Sequence, residues 1–345
     1  MCGSGRYPPM SAGRLIHVDD SLPGISRERL ADGWRYRDAS GRIIRNAAEI
    51  KRLNAIALPP AYEDAWFCPA ANGHILATGY DARGRKQYRY HPDFRRAQDA
   101  DKYDRCAAFG HALPLLRARL EQDLARRTLC PERVVGAVVR LLDLAALRVG
   151  NEQYAAANNS FGATTLRQRH AKLTGKTLRL RYRAKGGAKR DVVVSDRSLT
   201  TLVRRLQDLP GQHLFQYEDD GDLCAVASED VNAYIQDVMG DAFSAKHFRT
   251  WSASVEAFAY LHAAAEPPTL KQLLQHVADH LGNTPAVARK AYVHPAMLAA
   301  ALERADFAAA AGPLPRATRY LSRVERGFLT YLERAPDAAA LLRSA

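Results

Sequence analysis

The chain has 345 residues, of which 47% are hydrophobic, enough for two domains of ordinary size with packed cores. It carries 50 Lys and Arg residues against 37 Asp and Glu residues, a formal net charge of +13. This excess indicates a polyanionic partner, usually nucleic acid, although charge alone does not separate an enzyme from a DNA-binding protein. No stretch approaches the roughly 18 apolar residues of a membrane helix, so we expect no membrane partner.

The five cysteines are scattered along the chain and form no CxxC pair. They therefore indicate neither a zinc ribbon nor a disulfide framework, and a reducing compartment is the natural one. The N-terminus also lacks the apolar core of a secretion signal. These features predict a cytoplasmic protein, associated with the nucleoid if its partner is DNA.

Residues 1–30 are rich in Gly, Ser and Pro, and we expect them to be loosely ordered. Residues 31–97 are predicted to form a small antiparallel β domain that contacts DNA. Three of its segments have the residue pattern of strands: 34–37, 74–80 and 86–90. A short helix is predicted at 47–53, and the polar segment 95–101 is predicted to bridge to the second domain.

Residues 98–345 are predicted to form a mainly helical catalytic domain, because apolar residues recur there at helical spacing. A single β-hairpin interrupts the helices at 177–194, and residues 211–227 are predicted to be irregular. The last predicted element is an amphipathic helix at 319–333. The predicted fold class is therefore α+β.

Arg148 follows an almost wholly apolar segment, residues 134–147, which predicts a buried helix with Gly150 as its stop signal. An arginine at the edge of a buried helix needs an anionic partner. For this residue alone, an ion pair with Glu152 or Asp143 is the simpler interpretation, and an anionic ligand is the alternative.

The hairpin carries basic residues in a regular pattern around the Gly186-Gly187 turn, a favoured two-residue connection. Alternation along its first strand places four cations on one face: Arg179, Arg181, Arg183 and Lys185. A solvated strand face is the simpler alternative. The clustering of cations within an already basic chain favours a phosphate-binding face, with Lys185 at the tip.

Residues 247–262 predict a helix whose first turn holds Lys246, His247 and Arg249. Unpaired N–H groups and the macrodipole make a helix N-terminus favourable for an anion, so a phosphate is a reasonable ligand there. A surface helix with basic residues is the alternative.

Tyr292 lies in a segment with clear helix punctuation. A helix predicted at 270–281 ends at Gly282-Asn283, and Thr284-Pro285 has the cap and first-position proline of a new helix. Tyr292 falls about two turns into that second helix, which Pro295 is predicted to terminate. Most tyrosines are packing residues, so the case for this one depends on the other motifs.

A tyrosine and two arginines together can cleave a phosphodiester. A phenol with a pKa of about 10 is mostly protonated at neutral pH, and nearby cations lower the cost of losing the proton. Paired arginines can hold the two non-bridging oxygens, and a lysine can give a proton to the leaving 5′ oxygen. This chemistry requires no divalent metal.

Other enzyme signatures fail. Gly175-Lys176-Thr177 resembles the end of a P-loop, but His170 stands where its first glycine is required, so no nucleotide cofactor is predicted. The acidic residues 218–222 lack the spacing of a calcium loop, and HExxH is absent, so no metal site is predicted.

In order and spacing, five segments resemble type IB DNA topoisomerases of the bacterial, poxvirus-like kind. They are residues 84–92, 147–152, the hairpin with Lys185, residues 248–251 and residues 281–292. The resemblance covers nearly the whole chain, from about residue 30 to residue 331. It implies a clamp around duplex DNA, built from a small β domain and a larger tyrosine-recombinase-like helical domain. It also implies relaxation of supercoils by a monomer that needs neither ATP nor metal.

The resemblance also implies residue roles. Tyr292 would form a 3′-phosphotyrosyl link, Arg148 and Arg249 would hold the scissile phosphate, and Lys185 would be the general acid. Asn283 stands where poxviral and eukaryotic relatives place a histidine, and it can donate a hydrogen bond but cannot carry a charge. The predicted DNA contacts outside this catalytic set are Arg85, Lys86, Gln87, Tyr88, Tyr90, Arg179, Arg181, Arg183 and Lys246.

Two alternative functions remain open on the sequence. A tyrosine recombinase shares the chemistry, but its usual His-x-x-Arg pattern has Lys246 in place of the histidine here, and its N-terminal domain is helical. A non-enzymatic DNA-binding protein would explain the charge but not the spacing of the four catalytic candidates. A metal-dependent nuclease is a more distant third, because no convincing carboxylate cluster is present.

Overall fold

The computed structural model describes residues 15–303 and 307–344. The chain divides into two compact units, with the boundary between Ala100 and Asp101; the predicted boundary lay between residues 97 and 98. Of the predicted loosely ordered segment, residues 1–14 lie outside the described residues. Residues 25–30 form a strand, so the prediction was wrong for that part.

The first unit is built on a five-stranded antiparallel sheet with strand order β2-β1-β3-β4-β5. Its elements are β1 (Ile25–Leu30), β2 (Gly33–Arg37), α1 (Ala47–Ala55), β3 (Glu63–Phe67), β4 (Ile75–Tyr80) and β5 (Lys86–Tyr90). Helix α1 is capped by Asn46 and packs Leu53 against Tyr36 and Phe67 of the sheet. The three predicted strands and the predicted helix are confirmed.

Two strands of this sheet were not predicted, and β1 shows why. It has only two apolar residues, one at each end, and four polar residues between them. Arg27 belongs to the packed structure because its guanidinium lies 4.0 Å from the centre of the Trp34 ring and donates to the carbonyls of Leu58 and Pro59. A hydrophobic pattern counts arginine as polar, so it does not detect that the aliphatic part of Arg27 is packed while its guanidinium is hydrogen-bonded.

The polar segment 95–101 does not form a linker. It lies inside α2 (Pro92–Leu124), a helix of 33 residues. The prediction of an irregular bridge was therefore wrong. The first turns of α2 have few apolar residues, so they lack the helical hydrophobic spacing on which the prediction depended.

The second unit is mainly helical. Its helices are α3 (Pro131–Ala145), α4 (Glu152–Asn158), α5 (Arg197–Gln207), α6 (Ser228–Met239), α7 (Ala245–Ala263), α8 (Leu270–Leu281), α9 (Pro285–Ala291), α10 (Pro295–Glu303), α11 (Phe307–Ala311), α12 (Arg323–Leu332) and α13 (Ala338–Ser344). Helices α3 and α7 are buried along most of their length and form the centre of its core. The predicted α+β class is confirmed.

Two small sheets complete the second unit. β6 (Ala171–Thr174), β7 (Thr177–Arg183) and β8 (Lys189–Ser195) form a three-stranded antiparallel sheet that contains the predicted hairpin. β9 (Gln216–Asp219) and β10 (Asp222–Ala225) form a second hairpin, turned by Asp220 and Gly221 at positive φ. Residues 211–227 were predicted to be irregular, and this prediction was wrong for the part that forms the β9–β10 hairpin.

Two predicted helix limits were also wrong. The C-terminal amphipathic helix begins at Arg323 rather than at residue 319, because Ser322 caps it through the backbone N–H of Glu325. Pro295 does not terminate the helix that precedes it but is the first residue of α10. Within the described residues, no helix has the length and apolar character needed to cross a membrane.

Candidate active site

Arg148 lies just beyond the buried helix α3, in a segment fixed by its backbone. The helix ends at Ala145, and Ala146 at φ 48° caps it, so the predicted stop at Gly150 was wrong by one turn. The Arg148 carbonyl accepts from Ala163 N at 2.8 Å, and the next carbonyl accepts from Thr164 N at 2.7 Å. These bonds set the direction in which the Arg148 side chain leaves the chain.

The predicted carboxylate partners of Arg148 are engaged elsewhere. Asp143 pairs with Arg117 and Arg140, and Glu152 pairs with Arg167. Within residues 15–303 and 307–344, Arg148 forms no ion pair. The ion-pair interpretation of Arg148 is therefore wrong for the described structure.

Arg249 lies in the second turn of α7 and is only 4% exposed. Its guanidinium donates to the carbonyl of Ala146 at the end of α3 and to that of Leu281, at 3.4 Å, at the end of α8. Its Nε has no hydrogen-bond partner. The charge is thus held by two neutral carbonyls at two helix C-termini, where a cation is favoured.

Tyr292 caps the C-terminus of α9, whose start at Thr284 and Pro285 is as predicted. The guanidinium of Arg249 lies 4.6 Å from the centre of the Tyr292 ring. Ser254 on α7, one turn beyond Arg249, accepts from His294 N at 3.0 Å. Its hydroxyl donates to the Thr250 carbonyl at 2.8 Å and more weakly to the Tyr292 carbonyl at 3.3 Å. The helix that carries Arg249 therefore also positions Tyr292.

The charges around Tyr292 favour its ionised form. Burial raises the pKa of the phenol, but the positive charges of Arg249 and Arg148 outweigh burial and hold the pKa below its ordinary value of 10. Burial lowers the pKa of Arg249, and the charge of Arg148 lowers it further. Two cations and a phenol thus form one cluster that attracts an anion.

Asn283 follows Gly282, which closes α8 in the left-handed conformation at φ 60°. Both polar atoms of its side-chain amide are buried and have no hydrogen-bond partner. An unpaired buried amide is costly, so this one is suited to a ligand that supplies the missing partners.

Lys185 is exposed at the tip of the β7–β8 hairpin, next to Gly186 and Gly187 at φ 77° and 79°. Its side chain makes no hydrogen bond or ion pair with any described residue. The structure therefore brings Arg148, Arg249 and Tyr292 together and does not place Lys185 with them.

His247, in the first turn of α7, is buried and holds the helix start. Its Nδ1 accepts from the backbone N–H of Ser244 at 3.0 Å. Burial lowers its pKa to about 4, so the ring is neutral at physiological pH. Lys246, the neighbouring predicted DNA contact, is exposed.

The predicted DNA contacts of the first unit lie on β5. Tyr88 and Tyr90 are 42% and 41% exposed and stack with their ring centres 5.7 Å apart. Arg85 and Gln87 both bind the Asp81 carboxylate, and Lys86 pairs with Asp20 at 2.7 Å. The aromatic rings are therefore accessible, whereas Arg85 and Lys86 are already paired with carboxylates.

On the hairpin, too, a carboxylate pairs with predicted DNA-contacting arginines. Arg179, Arg181 and Arg183 are exposed on one face of β7, as predicted. Asp191 on β8 pairs with Arg179 at 2.6 Å and with Arg181 at 3.0 Å. Arg183 forms no ion pair with a described residue.

Arg190 also belongs to this cluster and was not predicted from the sequence. It pairs with Tyr182 across β7 and β8, and its guanidinium lies against Gly282, next to Asn283. A signal was present in the sequence. Period-two alternation places Arg190 on the same face as Val192 and Val194, an unusual position for an unpaired arginine.

Comparison with known proteins identifies related chains. The model of the eukaryotic DNA topoisomerase I catalytic core matches residues 91–307, and that of the bacterial DNA topoisomerase IB N-terminal domain matches residues 33–81. DNA topoisomerase 1B of Acanthamoeba polyphaga mimivirus is 29% identical over 287 residues, covering 79% of this chain and 85% of the viral protein.

One solved structure, a XerH site-specific recombinase bound to palindromic difH substrate in a post-cleavage complex, aligns with a TM-score of 0.35. The two chains are 15% identical, and the alignment covers 51% of this chain and 47% of the recombinase. Similarity at this level supports no conclusion about the chain.

Proposed function

We propose that this chain, which belongs to the DNA topoisomerase I family of type IB enzymes, relaxes supercoiled DNA through a covalent bond between Tyr292 and the cleaved strand. The family model of the catalytic core matches more than half of the chain, so the protein is a DNA topoisomerase, an isomerase that binds DNA. The residue roles that follow are our proposals.

The observation that supports Tyr292 as nucleophile is its pairing with buried Arg249. A phenol under a guanidinium at 4.6 Å, with a pKa lowered by two arginines, is prepared to lose its proton. Arg249 and Arg148 have no carboxylate partner among the described residues, so a phosphate can take that place.

The reaction we propose balances without a cofactor. The Tyr292 phenol gives its proton to solvent, its oxygen forms a bond to phosphorus, and the bond from phosphorus to the 5′ oxygen breaks. Lys185 gives a proton to that 5′ oxygen, and the side-chain amide of Asn283 donates to a non-bridging oxygen. Religation reverses each step, so neither ATP nor a metal ion is consumed.

Lys185 must reach the phosphate for this role, and its position supports such a movement. It lies on an exposed turn with two consecutive glycines at positive φ, which is a flexible connection. We propose that binding of DNA brings the hairpin tip to the 5′ oxygen.

The partner we propose is double-stranded DNA, bound by both units of a monomer in the cytoplasm, at the nucleoid. The exposed stacked rings of Tyr88 and Tyr90 support a DNA-contacting face on β5. On the hairpin and at Lys246, cations support contact with the phosphate backbone.

Plasmid relaxation tests the proposed function directly. Positively and negatively supercoiled plasmids are incubated in EDTA without ATP, with wild type and with Tyr292→Phe. We expect wild type to relax both and the variant to relax neither, with a protein–DNA adduct trapped by denaturant only for wild type.

Each other outcome has a distinct meaning. Folded, DNA-binding wild type that relaxes neither plasmid would refute the topoisomerase reaction for this chain. Relaxation by Tyr292→Phe at the wild-type rate would show that another residue is the nucleophile. Products that join two separate duplexes would indicate a recombinase.

A further inference from the structure

Arg190 occupies an inward-facing position of the hairpin. The register pairs Tyr182 with Arg190, Leu180 with Val192 and Leu178 with Val194. The three residues on the β7 side are all buried. Arg190 therefore extends the apolar face of the sheet with a positive charge, where a hydrophobic residue would be expected.

The guanidinium of Arg190 lies against the end of α8. A Cβ atom built on Gly282 would overlap Arg190 Nη1 and lie only 2.5 Å from its Cζ. Gly282 also has φ 60°, so the absence of a side chain serves both the helix cap and the approach of Arg190. This contact places Arg190 beside Asn283, whose buried amide has no partner.

No carboxylate of residues 15–303 and 307–344 pairs with Arg190. Its chain neighbour Asp191 faces the opposite side of the sheet, where it pairs with Arg179 and Arg181. Arg190 forms no ion pair with any residue in the described ranges. Its charge acts instead on the Tyr182 phenol and on Arg249, whose pKa it helps to lower. Arg148, Arg190 and Arg249 thus lie in one region, and none of them pairs with a carboxylate in the part of the chain that the structure describes.

We propose that Arg190 is a third phosphate-binding arginine of the active site, which contacts a non-bridging oxygen of the scissile phosphate and supplies the positive charge that the neutral Asn283 cannot. This inference rests on the proposed function. It assigns to the hairpin two separate contributions, the proton donor in the turn and a fixed cation on the inward face of β8 close to that turn.

The cleavage step requires the kind of positive charge that Arg190 carries. When the phenol oxygen attacks phosphorus, negative charge builds on the non-bridging oxygens. A cation already held in place stabilises that charge without reorganisation. A neutral amide at position 283 can donate a hydrogen bond but contributes no charge to this stabilisation. Arg190, held against the neighbouring glycine, is positioned to do so.

A purely structural role is the competing explanation, in which Arg190 only accompanies the buried Tyr182 phenol. The two roles differ in which group determines the effect of substituting Arg190. A structural role depends on Tyr182 and not on the charge of the phosphate. A phosphate-binding role depends on the charge of the phosphate and not on the Tyr182 hydroxyl.

The first test is single-turnover cleavage of a short duplex at a site mapped by denaturant trapping. We expect Arg190→Ala to slow cleavage by about 10-fold to 100-fold and Arg190→Lys to restore part of the rate. Arg204→Ala, which removes an exposed arginine of α5 and changes the net charge equally, is the matched control and should cleave as wild type does. Thermal unfolding establishes that each variant is folded.

The second test neutralises the phosphate. A methylphosphonate at the scissile position replaces one charged oxygen with a methyl group. If Arg190 acts on that charge, the difference between wild type and the Arg190 variants should fall below about threefold on this substrate. The same difference should persist in a Tyr182→Phe background. Arg190→Lys provides both comparisons if Arg190→Ala does not fold.

Three results would overturn the assignment: cleavage by Arg190→Ala as fast as by Arg204→Ala, an undiminished penalty on the methylphosphonate, or loss of the penalty in Tyr182→Phe. Failure of the proposed function itself would look different. Wild type would then not cleave the duplex, or Tyr292→Phe would.

Discussion

Two arginines in the second unit, the partly buried Arg117 and the buried Arg249, are held in opposite ways. Arg117 of α2 donates to Asp143 at 2.8 Å and to Glu325 at 2.7 Å. Arg249 of α7 donates to the carbonyls of Ala146 and Leu281 and pairs with no carboxylate of the described residues. Burial lowers the pKa of both, but the two carboxylates raise that of Arg117 above its ordinary value, whereas the pKa of Arg249 remains lowered.

The difference separates a charge that stabilises the fold from one that is available for a ligand. Arg117 joins α2 to α3 and α12 through a complete network, in which Arg140 and the indole of Trp251 also take part. Removing one member would leave buried charges without compensation. Arg249 carries a desolvation cost that no carboxylate within residues 15–303 and 307–344 offsets, and a phosphate would offset it.

The arginines of the exposed surface combine features of Arg117 and Arg249: they pair with carboxylates, but those pairs can be replaced by a ligand. In the regions predicted to contact DNA, Asp81 binds Arg85, and Asp191 binds Arg179 and Arg181. These arginines lower the pKa of each carboxyl to about 2. Asp191 is exposed and Asp81 is partly exposed, so such pairs contribute little to stability and can yield to phosphates.

The largest effect should come from breaking the complete network. We expect Arg117→Met to lower the free energy of unfolding by about 3–5 kcal/mol, because Asp143 and Glu325 lose their shared cation while buried. Urea denaturation measures this. Cleavage per folded molecule should change little, and a loss as large as that of an active-site variant would mean that the network also serves catalysis.

The same variant has a predictable pH signature. Burial raises the pKa of Glu325, but Arg117 and Ser322 lower it below its ordinary value of 4.5. A lowered pKa contributes stability that is present above the ordinary value and lost as pH falls through the lowered one. Wild type should therefore lose stability as pH falls below about 4.5, and the free energy of unfolding of Arg117→Met should fall less over the same pH range.

A large effect on rate, with a smaller effect on stability, should follow removal of Arg249. We expect Arg249→Ala to slow single-turnover cleavage by about 100-fold to 1000-fold, the range for loss of one donor to a developing oxyanion. Its free energy of unfolding should change by less than about 2 kcal/mol, since no buried carboxylate is left unpaired. Equal destabilisation by Arg249→Ala and Arg117→Met would erase the distinction between the two arginines.

The smallest effect is a shift in the ionisation of Tyr292. Absorbance of phenolate near 295 nm, taken as the difference between wild type and Tyr292→Phe, should show one phenol with a pKa below 10. In Arg249→Ala that pKa should rise, because the cation that favours the phenolate is lost while the ring remains half-buried. An unchanged pKa in the variant would show that Arg249 does not govern the nucleophile.

Local chemistry in the sequence determined much of this protein. Thr284 and Pro285 specify the start of α9, and Gly282 specifies the end of α8, because caps act within one turn of the chain. Gly186-Gly187 marks the turn of the hairpin, and alternation identifies the exposed cations Arg179, Arg181 and Arg183. The predicted two-residue connection was wrong, because the strands end at Arg183 and resume at Lys189, which leaves Lys185 in the turn rather than on the strand face. The order of these segments also carried the resemblance to type IB topoisomerases, and the family match confirms that resemblance.

Only the tertiary structure decided which distant groups meet. Sequence periodicity assigns a side chain to a face but does not say which other segment covers that face. Arg148 was expected to pair with Asp143 or Glu152, yet those carboxylates bind Arg117 and Arg167 instead. Arg190 reaches Gly282 across more than 90 positions because a sheet packs against a helix end. Whether a buried arginine stabilises the fold or remains available to a phosphate depends on those long-range partners, which no local pattern records.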